Sequence, residues 1–207
     1  MAFALFKKSV LERLHPRKST DENLEFYYQE RENFQTGDLL FFSGDHWLSG
    51  LIRARSRSAW SHVGMVIRLE ELNRVFLVES ILEVGVRLVP LSFVMTDYDG
   101  EGKAYKGRVA WCRHAGIHAD KEKQMRLKEF SLDNLTKQYD RDEYWRILWR
   151  TFTGSKELFE DSKFTCAEFI WEAYKHAKEQ LPKERGYFIS PGAFYRLDEM
   201  MLQGMLI

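Results

Sequence analysis

The chain has 207 residues, 44% of them hydrophobic and 14% aromatic, which are globular proportions and argue against intrinsic disorder. Lys plus Arg equal Asp plus Glu at 31 each, so there is no basic excess of the kind a general nucleic-acid binder carries. The length suits one well-buried core with an appended arm.

Taken in chain order, the opening "MAFALFKKSVLERLHPRKS" places its charges after a short apolar run and shows no cleavage-like segment. It is therefore not read as a signal peptide, and no apolar run approaches the length of a membrane span. The expected location is cytoplasmic, with leaderless secretion as the other route. Residues 3–14 read as a short amphipathic helix with Phe3, Phe6, Val10 and Leu14 on one face. "HPRKSTDEN" breaks it, and 21–34 read as a second helix. Residues 1–35 form an N-terminal helical arm, expected to dock on the domain, with peripheral membrane contact as the alternative.

The domain proper, 36–207, opens at "TGDLLFF", a strand after the Gly37-Asp38 turn. "SHVGMVIRL", "VFLVES", "GVRLVPL" and "GRVAWCR" read as four further strands, each short, rich in β-branched or aromatic residues and bounded by turn residues. Residues 118–138 and 142–153 read as helices. A helix carrying Cys166 follows in "FTCAEFIWEAYKHA", with Phe169, Ile170, Ala173, Tyr174 and Ala177 on its apolar face. Ser190-Pro191 reads as the N-cap and first turn of a last helix. Strands first and helices after predict an α+β domain with an antiparallel sheet.

Two cysteines, Cys112 and Cys166, make neither a disulfide framework nor a CxxC zinc pattern, so a reduced compartment is the simpler reading. Cys112 sits in "VAWCR" with no adjacent acid or base and is assigned to the core. Cys166 has two readings. It is either a small buried residue or a thiol in the first turn of a helix capped by Ser162 or Thr165, where the helix dipole favours a thiolate.

A nucleophilic cysteine needs a base, usually histidine. Of six histidines, His15 lies in the arm, His114 and His118 flank a polar helix start, and His46 lies in a loop. His176 stands about 15 Å down the helix from Cys166. His62 alone sits in a strongly apolar strand, where a satisfied core histidine is the competing reading. If Glu70-Glu71 form a two-residue hairpin loop, Leu69 faces Leu72 and His62 faces Glu79, with Cβ atoms about 5 Å apart. A register shift of two keeps His62 and Glu79 diagonal neighbours on one face; a shift of one separates them. Glu79 is an acid in an apolar strand and calls for a partner. Cys166, His62 and Glu79 thus make a candidate thiol triad. The same three residues are legitimate zinc ligands, but no HxxxH or CxxC pair accompanies them, so neither a metal nor another cofactor is expected.

The order "TGDLLFF", "SHVGMVI", "VFLVES", "QYDRDEYW", "FTCAEFIWEAY" and "ISPGAF", over residues 36–195, resembles the circularly permuted papain-like superfamily, permuted relatives of NlpC-type cell-wall hydrolases, and its YiiX-like branch in particular. The resemblance implies a small antiparallel sheet or barrel packed against helices that include the nucleophile helix. It implies a thiol hydrolase with Cys166 as nucleophile, His62 as base and Glu79 as orienting acid, and the Cys166 N–H as one oxyanion donor by position. Asp38 is assigned to the turn rather than the site. Tyr139-Asp140, Ser61, Trp60 and His46 are candidates to line the cleft.

The leading expectation is an amidase or peptidase acting on cell-wall-type peptides or isopeptide-like amides, with a leaderless toxin-type effector as one setting. Acyl-lipid or thioester chemistry on the same triad is the alternative, to which the arm and "EYWRILWRTF" would be suited. A non-catalytic binding module that has kept the fold is the third. The partner expected in the first two readings is a peptide-like or acylated substrate, not a nucleic acid.

Overall fold

A computed structural model describes residues 20–44, 58–81, 84–138, 165–179, 181 and 190–207. The expected helices at 3–14 and 142–153 lie outside these residues.

Six strands form one open antiparallel sheet. They are β1 (Leu39–Ser43), β2 (His62–Leu69), β3 (Arg74–Ile81), β4 (Gly85–Pro90), β5 (Arg108–His114) and β6 (Met200–Met205). Their spatial order is β4-β3-β2-β1-β5-β6. The helices are α1 (Thr20–Glu30), α2 (Phe93–Thr96), α3 (Ala115–His118), α4 (Lys121–Asp133), α5 (Cys166–His176) and α6 (Pro191–Tyr195). The fold is α+β, an open sheet rather than a barrel.

Alternation along the strands divides the interior in two. Leu39, Phe41, Val63, Met65, Ile67 and Val78 pack with Phe169, Ile170, Ala173 and Tyr174 of α5 on one face. Leu40, Phe42, Val66, Val75 and Leu77 pack on the other with Tyr27, Phe34, Trp111 and Leu206. The sheet is apolar on both sides because both sides are covered, which is why its strands read as near-continuous apolar runs. The described part of the arm is docked. Tyr27 and Phe34 are buried, and the Phe34 ring stacks 4.1 Å from Trp111.

The turn into β1 is pinned from three directions. Gly37 has φ +90°, and a Cβ there would meet Ile117 Cγ2 at 2.4 Å, so both conformation and space require glycine. The Gly37 carbonyl accepts from the buried Tyr174 hydroxyl at 2.9 Å, which ties α5 to β1. Asp38 accepts from the Gln35 N–H, from Trp111 Nε1 at 2.8 Å and from Arg113 Nε at 2.7 Å. Its role is to lock this turn to β5.

The structure differs from expectation in four places. The β2–β3 loop is four residues, Glu70 to Asn73, and Leu69 faces Arg74 instead of Leu72. Asn73 takes the left-handed conformation (φ 46°) and donates to the Glu70 carbonyl at 3.0 Å, a turn that the two-residue reading did not provide for. The helix expected over 118–138 is the shorter Lys121–Asp133, opened by an Asp120 N-cap whose carboxylate accepts from the Glu122 and Lys123 N–H groups, and the single turn before it ends at His118. The helix expected over 21–34 stops at Glu30. Strand β6 was not expected. "MMLQGM" has no β-branched residue, and its strand state comes from pairing with β5, with a bulge at Trp111/Cys112.

Candidate active site

Helix α5 starts where its sequence can be capped on both sides. Thr165 Oγ1 accepts from the Glu168 N–H at 3.3 Å, and Glu168 Oε2 accepts from the Thr165 N–H at 2.9 Å. This reciprocal capping box puts Cys166 at the first helical position. The Phe169 N–H bonds back to the Thr165 carbonyl, so the N–H groups of Cys166 and Ala167 have no acceptor within the helix. The apolar face of α5 seats the helix on β2 and β3 as its spacing predicts, with Phe169, Ile170, Ala173, Tyr174 and Ala177 buried. Cys166 itself is 8% exposed, whereas Cys112 is fully buried in the core.

His62 is the first residue of β2. Phe42 pairs with it, and the Phe42 carbonyl also accepts from the Ser61 N–H at 2.8 Å. Two residues of the incoming strand thus share one partner, the pattern of a bulge, which re-aims the side chain that follows it. The ring of His62 lies 5.2 Å from that of Phe42, and its side chain is 18% exposed.

The observed register places Gly64 opposite Glu79, one step along from the Met65–Val78 pair. His62 and Glu79 are therefore diagonal neighbours on one face. A Cβ at Gly64 would meet Leu77 Cδ1 at 2.6 Å and Glu79 Cβ at 3.2 Å, so glycine clears the ground over which Glu79 leans. The contact closes with His62 Nε2 2.7 Å from Glu79 Oε2. Cys166 lies near enough to the His62 ring that its influence on the imidazole is the largest after burial. Because α5 covers the other face, thiol and imidazole meet at the end of the sheet, where β2 begins.

Two further residues complete the surroundings of Glu79. Arg87 stands directly across from it on β4 and donates to Oε1 through Nε at 2.9 Å and Nη2 at 2.7 Å. The Tyr98 hydroxyl donates to Oε2 at 2.9 Å. Arg87 Nη2 also reaches the Tyr98 carbonyl at 3.2 Å, and the guanidinium lies over the Tyr98 ring. The sequence pairs Glu79 with His62 but does not by itself point to Arg87 or Tyr98 as its further partners. The available signal was Arg87 itself, the one charge in the next apolar run, "GVRLVPL".

The electrostatics follow from these contacts. Burial alone would depress the His62 pKa, but the charge and hydrogen bond of Cys166, and those of Glu79, push it up to about 10. Burial would raise the Glu79 carboxyl, and the contacts from His62 and Arg87 overcome it and hold the group below its ordinary value. Tyr98 is raised well above the usual phenol range, first by burial and then by the Glu79 charge, so its hydroxyl stays a donor. At neutral pH the cluster holds an imidazolium, a carboxylate and a guanidinium.

The remaining candidates separate cleanly. Trp60 is buried against Phe41 and Tyr195, and the Ser61 hydroxyl donates to the Phe42 carbonyl and accepts from the Gly44 N–H. His114 is buried edge-on to Tyr174, and burial lowers its pKa. His118 contacts Gln35, and His176 packs on Phe130. His15, His46, Tyr139, Asp140 and Ser162 lie outside the described residues.

An open antiparallel sheet flanked by a helix that begins at a cysteine is the permuted papain-like class of fold. The model of the family described as permuted papain-like amidase enzyme, YaeF/YiiX, C92 family, matches residues 33–186, and the chain belongs to that family. In general terms it is a cysteine peptidase or amidase. Among solved structures, the crystal structure titled metalloprotein yiiX from Escherichia coli O157:H7 is similar in fold. Its TM-score is 0.61 at 20% identity, over 82% of this chain and 96% of that one. The curated proteins contain no match to the sequence.

Proposed function

We propose that the chain cleaves peptide-like amides through an acyl-enzyme on Cys166, with His62 as proton carrier and Glu79 as the residue that orients it. The observation that carries this reading is the 2.7 Å contact of His62 Nε2 with Glu79, with Cys166 near enough to the same ring to raise its pKa. With Nε2 engaged by Glu79, the other ring nitrogen is the one left for the thiol.

The steps balance as follows. The Cys166 thiolate forms a bond to the carbonyl carbon, and the electron pair of the C=O moves to oxygen. The Cys166 N–H, free of any intrahelical acceptor, is placed to donate to that oxyanion. As the tetrahedral species collapses, the imidazolium of His62 gives its proton to the leaving nitrogen, and a thioester remains. Neutral His62 then takes a proton from water as the water oxygen attacks the thioester, and collapse of the second tetrahedral species breaks the C–S bond, releasing the carboxylic acid and restoring the thiolate and the imidazolium. Glu79 accepts from Nε2 throughout, which fixes the ring and favours its charged form.

Cell-wall-type peptides and isopeptide-like amides are the proposed substrates. Mass spectrometry of the purified full chain with muropeptides, phospholipids and acyl-thioesters tests this. The expected result is a new free amine from the muropeptides, absent in Cys166→Ala. Cleavage of esters or thioesters without any amide cleavage would overturn it.

The solved structure from Escherichia coli O157:H7 is titled a metalloprotein. The described side chains around Glu79 do not fit a metal. Among the described residues no three His, Cys, Asp or Glu groups converge as ligands. Both Glu79 oxygens are already occupied by donors, one of them a guanidinium that would repel a cation at that carboxylate. No step is routed through a metal.

A further inference from the structure

Glu79 has two oxygens and four hydrogen-bond donors upon them, and the donors are divided unequally. Among the described residues, Oε1 receives only Arg87, through Nε and Nη2. Oε2 receives His62 and the Tyr98 hydroxyl together, at 2.7 and 2.9 Å. Arg87 also grips the Tyr98 carbonyl and covers its ring, so the loop after α2 is fixed to β4 by the same side chain that fixes Glu79.

We propose that Arg87 and Tyr98 are positioning residues for the reaction. Arg87 holds Oε1 so that Oε2 is the oxygen presented to His62, and Tyr98 draws off part of the charge that Oε2 offers the imidazole. The proposal rests on the triad reading above and adds to it a setting of the triad's strength.

The two residues act in opposite directions. A buried carboxylate deprived of its guanidinium takes up a proton or turns away, and either change removes the charged acceptor from His62 Nε2. Deleting the Tyr98 hydroxyl leaves the carboxylate ionised, with His62 as the sole donor on Oε2. Among the described residues, the groups that face His62 are Cys166 from α5, Glu79 from β3 and the uncharged Phe42 ring from β1. Arg87 and Tyr98 therefore act on it through Glu79. A clamp that served only to hold the fold would weaken the protein in both variants and would not move His62 in opposite senses.

The test is an NMR titration of His62 in the full chain as wild type, Arg87→Met, Arg87→Lys and Tyr98→Phe. It is paired with the rate of Cys166 alkylation by iodoacetamide at neutral pH. Arg87→Met should lower the His62 midpoint and slow alkylation roughly tenfold or more, the loss of one charge-assisted hydrogen bond. Arg87→Lys, which keeps the charge without the fork, should fall between it and wild type. Tyr98→Phe should raise the midpoint. Midpoints that stay put, or that move the same way in Arg87→Met and Tyr98→Phe, overturn the proposal. If Arg87→Met does not fold, Tyr98→Phe, which loses a single hydroxyl, still decides the sign. If wild-type Cys166 shows no preferential alkylation, the triad reading fails, while the His62 midpoints still report on how Glu79 is shared.

Discussion

His62 is held between two groups that favour its charge and a burial that opposes it, with the outcome at about 10. After burial, the largest influences on the ring are the charge and hydrogen bond of Cys166, ahead of those from Glu79. Cys166→Ala should therefore lower the His62 midpoint even though Glu79 is untouched, which an NMR titration of the ring would show. An unmoved midpoint would mean that thiol and imidazole do not share a proton. Glu79→Gln should lower it as well, since a neutral amide cannot balance the imidazolium in a buried setting.

At the scale of the element, the start of α5 decides where the thiol stands. Thr165→Ala removes one half of the capping box and should cost about 1 kcal/mol in denaturant unfolding, with Thr165→Ser restoring most of it. Alkylation of Cys166 should slow in Thr165→Ala, because a frayed first turn no longer fixes the nucleophile. Much of this element was legible beforehand. The apolar spacing from Phe169 to Ala177 predicted the buried face, and Thr165 was one of two proposed caps. The five strands that were foreseen carry their signal in β-branched and aromatic runs. β6 carries none, and only its pairing with β5 makes it a strand. The His62–Glu79 pairing was foreseen because it depends on parity alone. The loop proved two residues longer than assumed, and an even shift leaves both side chains on one face. Arg87 and Tyr98 were not foreseen. The first depends on the register of β3 against β4, and the second on a loop fold that no periodicity encodes.

For the molecule as a whole, the two coupled groups set a pH window for stability. Glu79 is held below its ordinary 4.5, so its contribution is complete above that value and is lost as pH falls through its folded pKa. His62 is raised above its ordinary 6.5, so its contribution is complete below 6.5 and drains away as pH rises toward about 10. Between these limits both act together. Urea unfolding across pH should show wild type losing stability from 6.5 to 10 more steeply than His62→Ala. Parallel profiles would show that the pair contributes nothing to the fold. The described residues contain no helix long and apolar enough to cross a membrane, and both faces of the sheet are covered, so this window belongs to a domain closed around two cores.

The proposed chemistry depends on activation of Cys166 by His62. The most direct measurement compares iodoacetamide labelling of Cys166 with that of the fully buried Cys112 at neutral pH, in wild type and in His62→Ala. Labelling of Cys166 should be fast and selective in wild type and should lose that advantage in His62→Ala while the fold persists. Labelling of Cys166 that is equally fast without His62 would contradict it.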